Sequence, residues 1–219
     1  MNNGKEPSKN LFNPQGFTLI ELAFVLVIFP TLMISIFSVL DMANVIFHTN
    51  DVYSRLNQSA MQTLRSISRE IGQTNPNPTP PHLNITRDAG NNSIVAFQIP
   101  VDWDNDGDVI TAGVNPNVEW GAYDEVGRFQ SGRLNGWTRY SVVSSQLIRE
   151  VIQALDAGQN PVMRRVIANN VQNFNAVQTQ NILSMTLTLS GTDTIGQAGR
   201  QRTIQTTFAS DTVLRNAVN

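Results

Sequence analysis

Four aspartates fall at alternate positions of one short segment, residues 102–108, which reads DWDNDGD. Calcium takes about six to eight oxygen ligands, and alternate side chains of a tight loop converge on one ion while a glycine permits the sharp turn. The spacing therefore predicts a calcium ion in a structural role, held by Asp102, Asp104, Asp106 and Asp108. The alternative is an acidic, solvated turn that follows a strand.

The end of this loop differs from an EF-hand. Loop position 12 is Gly113, so the bidentate glutamate that closes an EF-hand site is absent. The remaining ligands would come from elsewhere in the chain, and the candidates are Glu119, Asp124 and Glu125.

Another carboxylate, Glu21, stands at the start of a long apolar stretch. No residue from Leu22 to Leu40 is charged, and about 20 apolar residues cross a bilayer as a helix. An ionised carboxylate at this depth costs about 2.5–3.5 kcal/mol, so a partner is expected. Cleavage after Gly16 would create an α-amino group on Phe17, within one helical turn of Glu21 or on a neighbouring subunit. The ammonium and the carboxylate would then stabilise each other.

The segment before the apolar stretch, residues 1–16, is polar and contains both lysines of the chain, Lys5 and Lys9. A cationic leader of this kind is retained in the cytoplasm, and the chain that follows the span lies outside. The small residue Gly16 precedes the apolar run, so cleavage there would leave the membrane helix on the mature protein. The alternative is an uncleaved signal anchor.

The string Gly16-Phe17-Thr18-Leu19-Ile20-Glu21 resembles the processing site of type IV prepilins and type II secretion pseudopilins. The resemblance implies cleavage after Gly16 by a prepilin peptidase, N-methylation of Phe17, and a role for Glu21 in subunit registration during filament assembly. It also implies a single-pass protein of the bacterial inner membrane with a periplasmic or extracellular head. The partners would be other pilins or pseudopilins, the peptidase and the inner-membrane assembly platform.

The organisation predicted from the sequence is α+β, with the pilin-like fold that the resemblance implies: a long N-terminal helix packed on an antiparallel sheet. The predicted parts are a leader (1–16), a transmembrane helix (17–44), an amphipathic continuation (45–72), a linker (73–92) and a β-rich head (93–219). Pro30 either kinks the membrane helix or is tolerated within it. The stripe that predicts helix packing is Val45, Val52, Leu56, Leu64, Ile67 and Ile71.

Alternation of apolar residues and flanking turn signals predict five strands in the head. Gly72 is predicted to end the helix, and residues 164–171 could be a short helix or a strand. The five predicted strands are 93–99, 137–143, 146–152, 183–189 and 203–208.

The order of these parts is similar to J-type minor pseudopilins and PilW-type minor pilins. The sequence does not separate a secretion pseudopilus from a type IV pilus. A further alternative is a binding module at the pilus tip that uses the aromatic, calcium-bound loop 100–137, whose aromatics could equally form a small satellite core. The segments that carry the similarity are 65–70, 94–97, 138–140, 146–149, 167–174 and 213–216.

Composition excludes several other classes of protein. The formal charge of −2 argues against nucleic acid as a partner, and the absence of cysteine excludes disulfides and thiolate chemistry. The chain lacks the nucleotide-binding, hydrolase and zinc-protease motifs. Its two histidines, His48 and His82, fall in the stem and the linker. We therefore predict no catalytic residues and no cofactor other than calcium.

Overall fold

The computed structural model describes residues 16, 18–75, 82–102, 107–110, 117–123, 136–155, 160–195 and 200–215. The chain divides into two compact units, residues 1–47 and 48–219. Helix α1, Leu19–Ile71, is 53 residues long and contributes to both units. The structure is of the α+β class, with one long N-terminal helix followed by antiparallel strands.

The N-terminal unit is the apolar half of α1, and the helix continues through Pro30 without interruption. Three hydroxyl side chains after the proline donate hydrogen bonds to the carbonyl oxygen four residues earlier. These are Thr31 at 2.6 Å, Ser35 at 3.0 Å and Ser38 at 2.8 Å. The hydroxyl groups are therefore satisfied by the helix itself, as they must be in an apolar solvent.

Helix α1 ends at Ile71, next to the predicted terminating residue Gly72. The amide of Gly72 donates to the carbonyl of Ser68 at 2.9 Å, and its own carbonyl accepts from the amide of Arg215 at 3.2 Å. A Cβ atom on Gly72 would lie 2.9 Å from the carbonyl oxygen of Ser68. Close backbone approach, rather than a left-handed conformation, therefore requires glycine here.

The first sheet of the C-terminal unit has five described strands in the antiparallel order β1-β2-β5-β6-β7. Ser144 and Ser145 join β5 to β6 in a two-residue turn, with φ of 50° and 59°, as expected of a tight hairpin. A separate pair, β3 with β4, follows β2. The bounds are β1 Leu83–Arg87, β2 Ser93–Phe97, β3 Ile99–Pro100, β4 Trp120–Gly121, β5 Trp137–Val143, β6 Gln146–Ile152 and β7 Met163–Asn169.

The second sheet contains the three described strands β8 (Val171–Thr179), β9 (Ile182–Ile195) and β10 (Arg200–Val213), in the order β10-β9-β8. The alternation in β9 buries one side of the strand, because side chains of a strand point to opposite faces in turn. The buried apolar residues of β9 on this face are Leu183, Met185, Leu187 and Leu189.

The core lies between the second half of α1 and both sheets. Leu56, Ala60, Leu64, Ile67 and Ile71 of the helix pack in one cluster with residues of the two sheets. The predicted helical stripe is therefore confirmed as core from Leu56 onward.

Each of the five predicted strands is found at its predicted position, although some begin or end at other residues. β5 and β6 have the predicted bounds, β9 and β10 are longer, and the predicted strand 93–99 is divided into β2 and β3. The undecided segment 164–171 lies in β7 and the start of β8. The structure adds β1, which falls within the range 73–92 interpreted as a linker, the two-residue strand β4, and most of β8.

Candidate functional site

The predicted processing site lies at the start of α1. Gly16 is exposed and outside the helix, and Phe17 lies outside the described residues. The backbone amide and the hydroxyl of Thr18 donate to Oε2 of Glu21, at 2.8 and 3.0 Å, while the amide of Glu21 donates to the Thr18 hydroxyl at 3.3 Å. These reciprocal bonds form a capping box. The sequence pattern of a capping box, a threonine three residues before a glutamate, was therefore present at Thr18 and Glu21. It gives Glu21 a second role in addition to the predicted pairing with an ammonium group.

In the helix that follows this cap, apolar side chains are exposed, because no other described part of the N-terminal unit packs on them. Large side chains such as Phe24, Ile28 and Phe37 are more than half exposed. In the part of the chain that the structure describes, α1 is the one helix long and apolar enough to cross a membrane.

The C-terminal unit holds a partly buried ionic cluster where α1 meets the first sheet. The Arg149 guanidinium of β6 forms an ion pair with the Glu70 carboxylate of α1, and its Nε lies 3.1 Å from both carboxylate oxygens. The Tyr140 hydroxyl of β5 donates to the same carboxylate at 2.6 Å. Arg149 also donates to the carbonyl of Tyr123 at 3.1 Å. One arginine therefore joins the helix, the sheet and the segment after β4.

The cluster perturbs the acidity of two of its members. Burial raises the pKa of the Tyr140 hydroxyl well above its ordinary value, and the neighbouring Glu70 charge raises it further. Burial alone would lower the pKa of Arg149, but hydrogen bonds and charge attraction from Glu70 raise it above its ordinary value. Both shifts favour a charged Arg149 and a neutral Tyr140 at neutral pH.

A groove of about 770 Å³ opens beside this cluster, between α1 and β7. Its charged lining is Glu70 with four arginines, and its walls add uncharged polar and apolar side chains. The arginines are Arg65, Arg69, Arg149 and Arg165.

The predicted calcium loop is described only at its ends. Asp104 and Asp106 lie outside the described residues, as do Asp124 and Glu125. Oδ2 of Asp102 accepts a hydrogen bond from the amide of Gly107 at 2.9 Å, and Gly107 has φ of +93°. Asp108 accepts from the next amide, that of Val109, at 2.6 Å.

Of the predicted completing ligands, the structure brings Glu119 to the base of this loop. Its backbone carbonyl accepts from the amide of Val101, and its amide donates to the carbonyl of Val109, both at 2.8 Å. Glu119 thus lies between the two residues that flank the loop. The described residues include no group of three or more carboxylates or histidines that could hold a metal, so calcium stays a prediction.

The aromatic side chains of the segment 100–137 are partly internal. The ring of Trp120 stacks on His82 with centroids 4.0 Å apart, and Tyr123 is partly buried against the core. Trp103 lies outside the described residues. The stacking favours the satellite-core interpretation of these aromatics over an exposed binding surface.

The Glu70–Arg149 pair was not predicted from the sequence. A signal was present, because Arg149 interrupts an apolar run in a predicted strand, and a buried arginine requires an anionic partner. Segments 65–70, 138–140 and 146–149 each contribute one residue to this cluster, namely Glu70, Tyr140 and Arg149. Comparison with family models and with curated proteins gives no match for this chain.

Proposed function

We propose that this chain is a minor pilin or pseudopilin, a structural subunit that helps to initiate or cap a filament near its tip. The filament is a type II secretion pseudopilus or a type IV pilus. The observation that carries this proposal is the position of the GFTLIE string. It directly opens a 53-residue helix whose first half presents apolar side chains to its surroundings.

The proposed mechanism assigns separate tasks to the parts of the chain. The prepilin peptidase cuts after Gly16 and the new amine of Phe17 is methylated. The exposed, non-helical position of Gly16 supports access to that bond. The apolar half of α1 first resides in the inner membrane and then packs against neighbouring helices, while the head contacts other minor subunits. The assembly platform and the peptidase supply the chemistry, and this chain has no catalytic role.

Mass spectrometry of the mature N-terminus, with the native prepilin peptidase present, tests the proposal. We expect a chain that begins at N-methyl-Phe17. Gly16→Val places a bulky side chain at the cleaved bond and should retain residues 1–16, whereas Gly4→Val, a matched change within the leader, should be processed normally. An unprocessed wild-type chain would overturn the proposal and leave a membrane-anchored head.

The capping box allows the two roles of Glu21 to be separated. Glutamine can also close a capping box, so Glu21→Gln keeps the cap and removes the charge, while Glu21→Ala removes both. If charge pairing sets subunit registration, both variants should insert in the membrane but enter filaments poorly, as measured by immunoblots of sheared filaments. Normal incorporation of Glu21→Gln would show that the cap suffices.

Calcium is part of the proposal for the loop 102–108. Four carboxylates at this spacing repel one another unless a cation is present, so calcium should raise the melting temperature of the full chain in neutral detergent. Asp104→Ala should abolish that increase, whereas Asp88→Ala, in the turn between β1 and β2, should keep it. An equal response to calcium and magnesium, or no response, would refute a calcium site.

A further inference from the structure

We propose that the groove between α1 and β7 docks an extended, carboxylate-bearing segment of a neighbouring subunit. This inference deepens the proposed function and rests on it. The groove is lined on one side by residues of the last turns of α1 and on the other by Arg165, Val166 and Ile167 of β7.

The groove carries an excess of positive charge because its single carboxylate is already occupied. Both oxygens of Glu70 accept hydrogen bonds from Arg149, and one of them also accepts from Tyr140. The charge of Arg149 is neutralised by the same ion pair. The three remaining arginines are exposed and have no ion pair with any residue that the structure describes. They are Arg65, Arg69 and Arg165.

Helix electrostatics account for only one of these arginines. Arg69 lies in the last turn of α1, where the helix dipole favours cations, whereas Arg65 lies a turn earlier. Arg165 stands on β7 and is not part of the helix. Its convergence with the helical arginines on one groove, in a chain of net negative charge, requires a separate reason.

The chemistry of the lining favours an acidic peptide. The guanidinium group presents a planar fork that matches a carboxylate, which makes arginine the preferred residue at such contacts. The groove also has apolar walls, Ile99, Val166 and Ile167, that suit the side chains of a peptide better than a phosphate backbone. A polyanionic nucleic acid would meet an overall acidic chain beyond the groove.

The adjacent strand offers a way to hold an extended segment. β7 pairs with β6 and has no second strand partner among the described residues, so it is an edge of the first sheet. A strand edge can bind an extended chain through its backbone while nearby side chains select the sequence. The exposed Val166 and Arg165 on this edge supply one apolar and one cationic contact.

The test uses the full chain in neutral detergent and a fluorescein-labelled hexaglutamate peptide, with fluorescence anisotropy at low salt. We expect the hexaglutamate peptide to bind and a hexaglutamine peptide to fail. The double variant Arg65→Gln/Arg165→Gln should weaken binding by about tenfold or more, because charged contacts dominate this recognition. The matched double variant Arg55→Gln/Arg202→Gln removes two exposed arginines outside the groove and should bind as the wild type does.

Equal affinity of the two double variants would overturn the proposal, as would displacement of the peptide by an equal concentration of hexathymidylate. The melting temperatures of all variants, measured in parallel, show whether any loss of binding reflects unfolding. Failure here is distinct from failure of the proposed function. A chain that starts at N-methyl-Phe17 with no groove selectivity refutes only the docking site, whereas a chain that keeps residues 1–16 refutes the filament subunit.

Discussion

The two halves of α1 form one continuous helix but are stabilised by different surroundings. In the first half, Ile28 is 54% exposed, and its neighbours along the helix are similarly exposed. In the second half, Ile67 is fully buried in the core of the C-terminal unit. Side chains of the same type therefore have opposite environments within one helix.

The two halves differ in what covers their apolar side chains. Among the described residues of the first half, no side chain is buried, so an apolar solvent or other helices are required to cover its surface. The second half finds its partners within the chain and also buries charge, since Glu70 and Arg149 pair at the sheet. A buried ion pair fixes geometry more than it adds stability, and its loss on one side leaves an uncompensated charge.

The largest effect is expected from breaking that pair. Glu70→Ala leaves the Arg149 guanidinium buried without its carboxylate, which costs about 3–5 kcal/mol in the free energy of unfolding. The measurement is urea unfolding of the full chain in neutral detergent. The double variant Glu70→Leu/Arg149→Met replaces both charges by apolar groups and should recover most of the loss.

The exposed pair on the same helix provides the control. Arg55 and Asp51 are 2.9 Å apart, with side chains 79% and 55% exposed. Arg55→Ala should therefore change the free energy of unfolding by less than about 1 kcal/mol. A loss in Glu70→Ala no greater than in Arg55→Ala would contradict the structural role assigned to the buried pair.

A smaller effect is expected at Gly191, where β9 approaches the second half of α1. A Cβ atom on this residue would lie 2.7 Å from Cγ1 of Val52 and 3.3 Å from Cδ1 of Leu56. Gly191→Ala should therefore force the helix away from the strand and cost about 1–3 kcal/mol, measured by the same unfolding experiment.

Two further variants make the Gly191 prediction specific. Val52→Ala removes the nearest atoms, so the double variant Gly191→Ala/Val52→Ala should lose less than the sum of its single changes. Thr192→Ala alters the exposed neighbour and should stay within about 0.5 kcal/mol of the wild type. Simple additivity in the double variant would show that the two residues do not meet.

Much of the fold could be predicted from local pattern. β5 and β6 were located because apolar runs flank a short turn, and the helical stripe from Leu56 to Ile71 has the period of a buried helix face. β1 and most of β8 were not predicted because they contain polar residues that are poor strand formers. Their formation depends on distant partners, as where the Ser93 hydroxyl accepts from the amide of Ala176 at 2.9 Å.

Functional residues could be predicted only where they are close together in the sequence. The string from Gly16 to Glu21 is read in order along the chain. The cluster of Glu70, Tyr140 and Arg149 joins residues 70 to 79 positions apart. No short-range pattern specifies which carboxylate pairs with a buried arginine, so this pairing emerges only when the sheet and helix are assembled.

The smallest predicted effect concerns His82, a buried group in the C-terminal unit whose charge depends on pH. The Nε2 group of Gln98 donates to the carbonyl of Gly136 at 3.4 Å, which turns Oε1 of Gln98 toward the histidine. Nδ1 of His82 therefore donates to Oε1, at 3.0 Å, while the ring stacks on Trp120. Burial lowers the pKa of His82, and the hydrogen bond to Gln98 opposes that shift only in part.

The lowered pKa gives a definite sign to the pH dependence of stability. As pH falls through about 6.5, the ordinary value, the unfolded chain gains a proton that folded His82 does not, so stability falls by at most about 1.4 kcal/mol per pH unit. Below the folded pKa the loss levels off.

Urea unfolding between pH 7.5 and 5.5 should show this decline in the wild type and a flatter profile in His82→Gln. His48→Gln changes an exposed histidine of α1 and should follow the wild type. Identical profiles for wild type and His82→Gln would contradict the assignment of this pH dependence to His82.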